Sequence, residues 1–223
     1  GKRVTAHARN GQAIVDCIDA GVDWLQHGDF MDKEQVRRLA DSGIPLCPTM
    51  TLNMNMADWG HIAGCSQARI DRVRRDMEKS IETLSYAHRQ GVRMMCGTDS
   101  GFAVTPYGEW HAREMELFVT LLGMSPLQAI SCGTKEAAFA VDPQGIGSLE
   151  NGRWADVLVV DGDPVADISL LQDKSRLRAL YKGGVAVDLT PQAEATRWPW
   201  EKSLEISHGE LRYDAVHGKK AAE

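Results

Sequence analysis

Residues 3–47 read R-V-T-A-H-A-R-N-G-Q-A-I-V-D-C-I-D-A-G-V-D-W-L-Q-H-G-D-F-M-D-K-E-Q-V-R-R-L-A-D-S-G-I-P-L-C, and they alternate two periodicities. Residues 3–8 predict a strand. Residues 11–20 place Ala13, Ile14, Cys17 and Ile18 on one helical face, and Gly21 stops the helix. Residues 22–26 predict a second strand that runs into His27-Gly28. Asp32 then predicts an N-cap for a helix through Ala40, with Val36, Leu39 and Ala40 as its buried stripe and Gly43 as its end. Residues 44–47 complete the stretch as a third strand, kept short by Pro45 and Pro48. Short strands regularly followed by helices are how a parallel α/β sheet reads.

Beyond this stretch, residues 49–64 are polar and Met-rich and predict a loop. Ile70, Val73, Met77, Ile81, Leu84 and Ala87 recur every three or four residues, which predicts a helix over 66–90 ended by Gly91. Residues 92–96 predict a fourth strand leading into Gly97-Thr98-Asp99-Ser100-Gly101. After a loop to Gly108, residues 109–122 are helical in pattern, and Ser125-Pro126 starts another helix that runs to about Val141. Four strand-then-helix units make half of an eight-stranded barrel. After Pro143 the pattern changes to short strands over 155–161, 177–182 and 185–189, punctuated by Gly162-Asp163-Pro164 and Gly183-Gly184, which predicts part of a small β domain. The expected organisation is a half barrel over 1–144, a partial β domain over 145–189 and a C-terminal extension over 190–223, where Trp198-Pro199-Trp200 is the strong apolar feature.

With 43% hydrophobic residues among 223, the chain can bury a sizeable core. A net charge of −6 argues against a nucleic-acid groove or an anionic membrane surface, both of which favour a basic face. Small molecules and other protein chains remain as partners. Five cysteines without a C-x-x-C pair suit reduced, buried thiols and a cytoplasmic location. No apolar run reaches the roughly 20 residues of a membrane span, and no basic-then-apolar leader opens the sequence. A phosphate-binding α/β reading is weak, because no glycine-rich loop of the required form precedes a helix.

In parallel barrels the reactive groups gather at the C-terminal ends of the strands. His7, His27 and Asp99 each occupy that register on a separate predicted strand. Two imidazoles and one carboxylate match a catalytic zinc-type site that leaves a position open for water. Such a metal lowers the pKa of water to about 7. Asp99 is then placed to accept the water's proton and pass it to the leaving group, with His27 as its catalytic neighbour. Each residue alone has a plainer reading, as a hydrogen-bonded strand-end histidine or an ordinary Gly-Thr-Asp turn. Their shared register favours the metal, zinc first, with manganese, iron or cobalt also compatible. Arg9, two positions beyond His7, is expected to face the same mouth and hold a substrate carboxylate or carbonyl, with a surface salt bridge as the equal alternative. Tyr107 and His111 are candidate substrate contacts in the loop and helix start after Asp99, and His61 beside Trp59 is a candidate lid residue. His88, His208 and His217 read as solvated. Met50, Met54 and Met56 read as ordinary packing or, failing that, as an adaptable apolar wall.

The strings V-T-A-H-A-R (4–9), L-Q-H-G-D-F (25–30) and C-G-T-D-S-G (96–101) resemble the fifth, sixth and eighth strand motifs of the metal-dependent amidohydrolase superfamily. Within it the likeness is to the group of imidazolonepropionases, Xaa-Pro dipeptidases and carbamate or mycotoxin amide hydrolases. It extends through E-M-E-L-F-V, G-M-S-P-L-Q-A-I and I-G-S-L-E-N-G-R-W-A-D-V-L-V-V-D-G-D-P to cover about residues 2–189. The resemblance implies strands five to eight of a TIM-like (β/α)8 barrel followed by part of a small β-sandwich domain. It also implies His7 and His27 as metal ligands, and Asp99 as ligand and proton shuttle. The expected activity is metal-dependent hydrolysis of an amide, carbamate, ester or lactam-like bond in a small organic substrate. The family's H-x-H pair of strand one and the carboxylated lysine of strand four have no counterpart in this sequence. Half a barrel exposes strand edges, so the expected partner is a second copy or a separate N-terminal half. The competing expectation is a noncatalytic half barrel that serves as an assembly subunit.

Overall fold

The computed structural model describes residues 1–190 and 210–218. A parallel three-stranded sheet of β1 (Thr5–Asn10), β2 (Trp24–Phe30) and β3 (Leu46–Cys47) organises its first part, in the order β1-β2-β3. Parallel strands need a crossover, and α1 (Gly11–Ala20) and α2 (Lys33–Ser42) supply the two required here. Local signals set the ends of both helices. Asn10 accepts from the Ala13 N–H at 3.0 Å to start α1, and Asp32 with Gln35 closes a capping box on α2. Left-handed Gly21 and Gly43 end them.

The chain beyond β3 departs from expectation in two places. Residues 49–64, expected as a loop, contain the helix α3 (Met50–Trp59). No residue next to it caps its first amides, which are satisfied by the side chain of Glu114, 63 and 64 residues further along. A partner so distant leaves no local mark in the sequence. The expected strand over 92–96 contracts to one parallel bridge between Leu46 and Met94, carried by Leu46 N–H to Arg93 O at 2.9 Å and Met95 N–H to Leu46 O at 2.8 Å. Because β3 holds only two residues, it offers no longer ladder for this segment to extend.

Between these lies α4 (Gln67–Arg89), whose buried Met77, Leu84 and Ala87 pack with Ala8, Leu25, Val36, Leu39, Leu46 and Phe118 in the main core. Met77, Leu84 and Ala87 lie on one stripe because they recur at the helical period. Next come α5 (Arg113–Thr120) and α6 (Pro126–Ser131), the latter opened by a Ser125–Gln128 capping box. The chain then changes pitch, through a π turn at Cys132–Glu136 and a 3-10 turn at Ala137–Ala140, where the sequence predicts one continuous helix.

A second sheet is antiparallel, β4 (Val157–Val160), β5 (Leu177–Lys182) and β6 (Val185–Ala186) in that order. At the C-terminal end, α7 (Tyr213–His217) follows the buried Leu211. Leu211 donates its N–H to Ala103 O and accepts from Trp110 Nε1, both at 2.7 Å, so this segment is tied to the stretch that follows Asp99. Trp198-Pro199-Trp200 and His208 lie outside the described residues. Among the described residues no helix is long and apolar enough to cross a membrane.

Candidate active site

Among the described residues, three that carry a Cβ have left-handed backbone: His27 (φ 76°), Thr49 (φ 55°) and Asp99 (φ 51°). His27 lies in β2, Thr49 comes after β3 and Asp99 after the Met94 bridge, and all three line one cavity of about 510 Å³. Left-handed backbone on such residues costs about 1–2 kcal/mol, and it persists where the surroundings over-determine it, which is characteristic of functional sites.

The strain at His27 has a visible result. Along a strand successive side chains alternate faces, so Trp24 and Gln26 share one face while Leu25 and residue 27 belong to the other. Leu25 is indeed buried in the core, yet His27 lines the cavity together with Trp24 and Gln26. The register explains the reversal. Ala8 pairs with His27 and Asn10 with Phe30, so one residue of β1 faces two of β2, Gly28 and Asp29, in a bulge. Bulges re-aim side chains, and here His27 is turned back toward His7, with ring centroids 4.3 Å apart at an interplanar angle of 69°. Gly28, also left-handed, passes so close to β3 that a Cβ there would lie 2.8 Å from Leu46 Cδ1.

Polar partners hold the arrangement. His27 Nδ1 and Thr49 Oγ1 are 2.6 Å apart. Asp29, 3% exposed, accepts from Arg9 Nε at 2.6 Å and from the Ser80 hydroxyl at 2.7 Å. Burial, and then the neighbouring His7, lowers the pKa of His27, while the charges of Asp99 and Asp29 oppose that shift. The ring is therefore kept neutral to lower pH than a free imidazole. Cys47 and Cys96 line the same cavity, and burial raises both thiols, which keeps them protonated.

His7, His27 and Asp99 are thus brought to one cavity, although among the described residues no three His, Cys, Asp or Glu side chains converge as a ready-made metal cluster. The other expected contacts go elsewhere. Arg9 does not face that mouth: its guanidinium pairs with Asp29, and it borders a second cavity of about 450 Å³ with Asn53, Arg69 and Arg72. Tyr107 is 75% exposed and His111 is bonded within its own loop, to Thr98 Oγ1 and the Gly108 N–H, each at 3.1 Å; neither lines the cavity. His217, expected to be solvated, is exposed but stacks on Tyr213 with centroids 4.3 Å apart. Sequence reasoning misses Thr49. Its signal is positional, since it comes two residues after the short strand β3, as His27 and Asp99 come one and three residues after their own predicted strands.

A sequence model described as the amidohydrolase family matches residues 1–187. Ochratoxinase of Aspergillus niger is 28% identical over 184 residues, which are 81% of this chain and 37% of that protein. The crystal structure of A. niger ochratoxinase superposes with a TM-score of 0.72 at 27% identity, covering 82% of this chain and 41% of the other. A Xaa-Pro dipeptidase with methionine bound in its active site gives a TM-score of 0.72 at 27% identity, over 84% and 45% of the two chains. The chain therefore spans less than half the length of these relatives. With the match running through residue 187 of 223, this chain belongs to the amidohydrolase family.

Proposed function

We propose that this chain carries part of the active site of an amide-bond hydrolase, with His7 and His27 as metal-ligating imidazoles and Asp99 as a ligand that also moves the proton. One observation carries the reading: left-handed His27, Thr49 and Asp99 meet on the wall of a single cavity, beside the His7–His27 ring pair.

The donor set suits a divalent cation. Two nitrogens and one oxygen accept zinc foremost, and manganese, iron or cobalt also. A ligand imidazole must be neutral, and burial favours that form of His27. Thr49 engages Nδ1, which leaves Nε2 for the cation. A bound cation of this kind supplies Lewis acidity, polarising a carbonyl and acidifying water. The remaining steps fall to the chain's own groups. The Asp99 carboxylate takes a proton from the attacking water and returns it to the departing amine nitrogen. Burial raises the Cys47 and Cys96 thiols, which disfavours the thiolate form a nucleophile needs.

One relative is named an ochratoxinase and another a Xaa-Pro dipeptidase, so a small amide is the substrate class proposed, with carbamate, ester and lactam-like bonds open to the same chemistry. The parallel sheet with its Met94 bridge is read as half of a (β/α)8 barrel, and the sheet of β4 to β6 as part of a small β-sandwich domain. β1 pairs with β2 alone among the described strands, so a second copy or a separate N-terminal half is the proposed partner at its open edge. The five cysteines are free thiols, which supports a cytoplasmic setting.

The test is hydrolysis of Xaa-Pro dipeptides and chromogenic anilides by the zinc-loaded chain. Turnover should vanish on chelation and fall by about 100-fold or more in Asp99→Asn. Turnover that survives both would overturn the proposal. A chain that neither binds zinc nor turns over substrate would favour the noncatalytic assembly subunit instead.

A further inference from the structure

A threonine in front of a helix ordinarily adopts extended backbone and turns its hydroxyl onto the amides of the first turn. Thr49 does neither: its backbone is left-handed, it makes no cap bond, and its Oγ1 lies 2.6 Å from His27 Nδ1. The cap of α3 comes from α5. Glu114, fully buried, accepts from the Met50 N–H at 2.8 Å with one oxygen, and from the Thr51 N–H at 2.8 Å and the Thr51 hydroxyl with the other.

We propose that Glu114 and Thr49 are positioning residues for His27: the carboxylate takes over the cap of α3, which locks Thr49 left-handed and aims its hydroxyl at Nδ1. Two conformations compete at the start of α3. In the ordinary one Thr49 would relax to extended backbone, relieve about 1–2 kcal/mol of strain, and spend its hydroxyl on the amides of Met50 to Leu52. Glu114 removes the reason for that relaxation by satisfying two of those amides itself. The hydroxyl of Thr49 is then left to His27. Accepting from Nδ1–H, it leaves the lone pair on Nε2, the tautomer that a ligating imidazole needs. This last consequence rests on the metal reading of the cavity; the hydrogen bond and the cap do not.

The experiment is nitrogen-15 NMR of the full 223-residue chain without metal, labelled on histidine and on the backbone. His27 should carry its proton on Nδ1 in the wild type and in Thr49→Ser, and should shift toward Nε2–H in Thr49→Val, which keeps the side-chain shape without the hydroxyl. The Met50 and Thr51 amides should be protected from exchange in the wild type and should lose protection in Glu114→Gln, together with the His27 tautomer. Zinc affinity should fall about 10- to 100-fold in Thr49→Val and recover in Thr49→Ser. An Nε2–H tautomer in the wild type, or one unmoved by Thr49→Val, overturns the proposal. Unprotected Met50 and Thr51 amides in the wild type overturn the part assigned to Glu114, even where Glu114→Gln fails to fold. If the tautomer behaves as stated while zinc does not bind, the positioning role stands and the metal reading falls.

Discussion

At His111 the two ring nitrogens have opposite duties. Nε2 accepts the Gly108 N–H, so the proton of the neutral ring sits on Nδ1 and is donated to Thr98 Oγ1. Protonation would destroy the first bond, and burial together with the charge of Lys174 lowers the pKa of this ring below 6.5. The sign comes from linkage. As pH falls below 6.5 the unfolded chain takes up the proton before the folded one, so the contribution of His111 is complete above 6.5 and is lost as pH drops through the lower folded value. Glu114 acts in the other direction: burial lifts its carboxyl to about 7, so its effect on stability declines as pH rises from 4.5 toward 7. Urea titrations of wild type and His111→Gln separate the two, because only the difference between the proteins reports His111. That difference should shrink as pH is lowered from about 7 to about 5, and a constant difference would contradict the bonding described.

Residue identities at the site are legible to different degrees for physical reasons. His7, His27 and Asp99 stand out because histidine and aspartate at strand ends are unusual chemistry in a sequence, and the cavity collects all three. Thr49 is an ordinary residue whose role depends on a backbone angle, and φ leaves no trace in a one-letter string. Alternation alone points Arg9 at the mouth, and it ignores the buried charge of Asp29 that draws its guanidinium away.

At the scale of elements, helices with local caps are the easiest to read. Asn10, Asp32, Ser66 and Ser125 each accept from the amide three positions on, and the helices they start begin where the sequence predicts them, although α6 gives way to other pitches after Ser131. α3 is hidden because its cap is a tertiary contact. The bulge in β2 is equally hidden, since it exists only as a mismatch in pairing with β1. Its sensitive point is Gly28, where any side chain would be both left-handed and pressed on Leu46. Gly28→Ala should therefore destabilise the fold by about 2–3 kcal/mol, from the backbone penalty and overpacking combined. The check is a lowered urea midpoint; an unchanged midpoint would mean that β2 passes β3 with more room than the structure has.

For the molecule as a whole, β1 pairs on one side only among the described residues, and at that edge Val4, just before the strand, is 54% exposed and His7 is exposed as well. Unpaired strand edges recruit partners. The 223-residue chain alone is expected to run as a dimer or larger species by light scattering at micromolar concentration, and a monodisperse monomer would contradict self-pairing at this edge. Self-pairing and completion by a separate N-terminal half are told apart by whether the isolated chain already assembles.

The central claim is that His7, His27 and Asp99 act together on one cation, and calorimetric titration of zinc into the metal-free chain tests it most directly. Binding near one zinc per chain, lost in His27→Ala and weakened at least about tenfold in Asp99→Asn, is the predicted result. Absence of binding, or binding that both substitutions leave untouched, would contradict it.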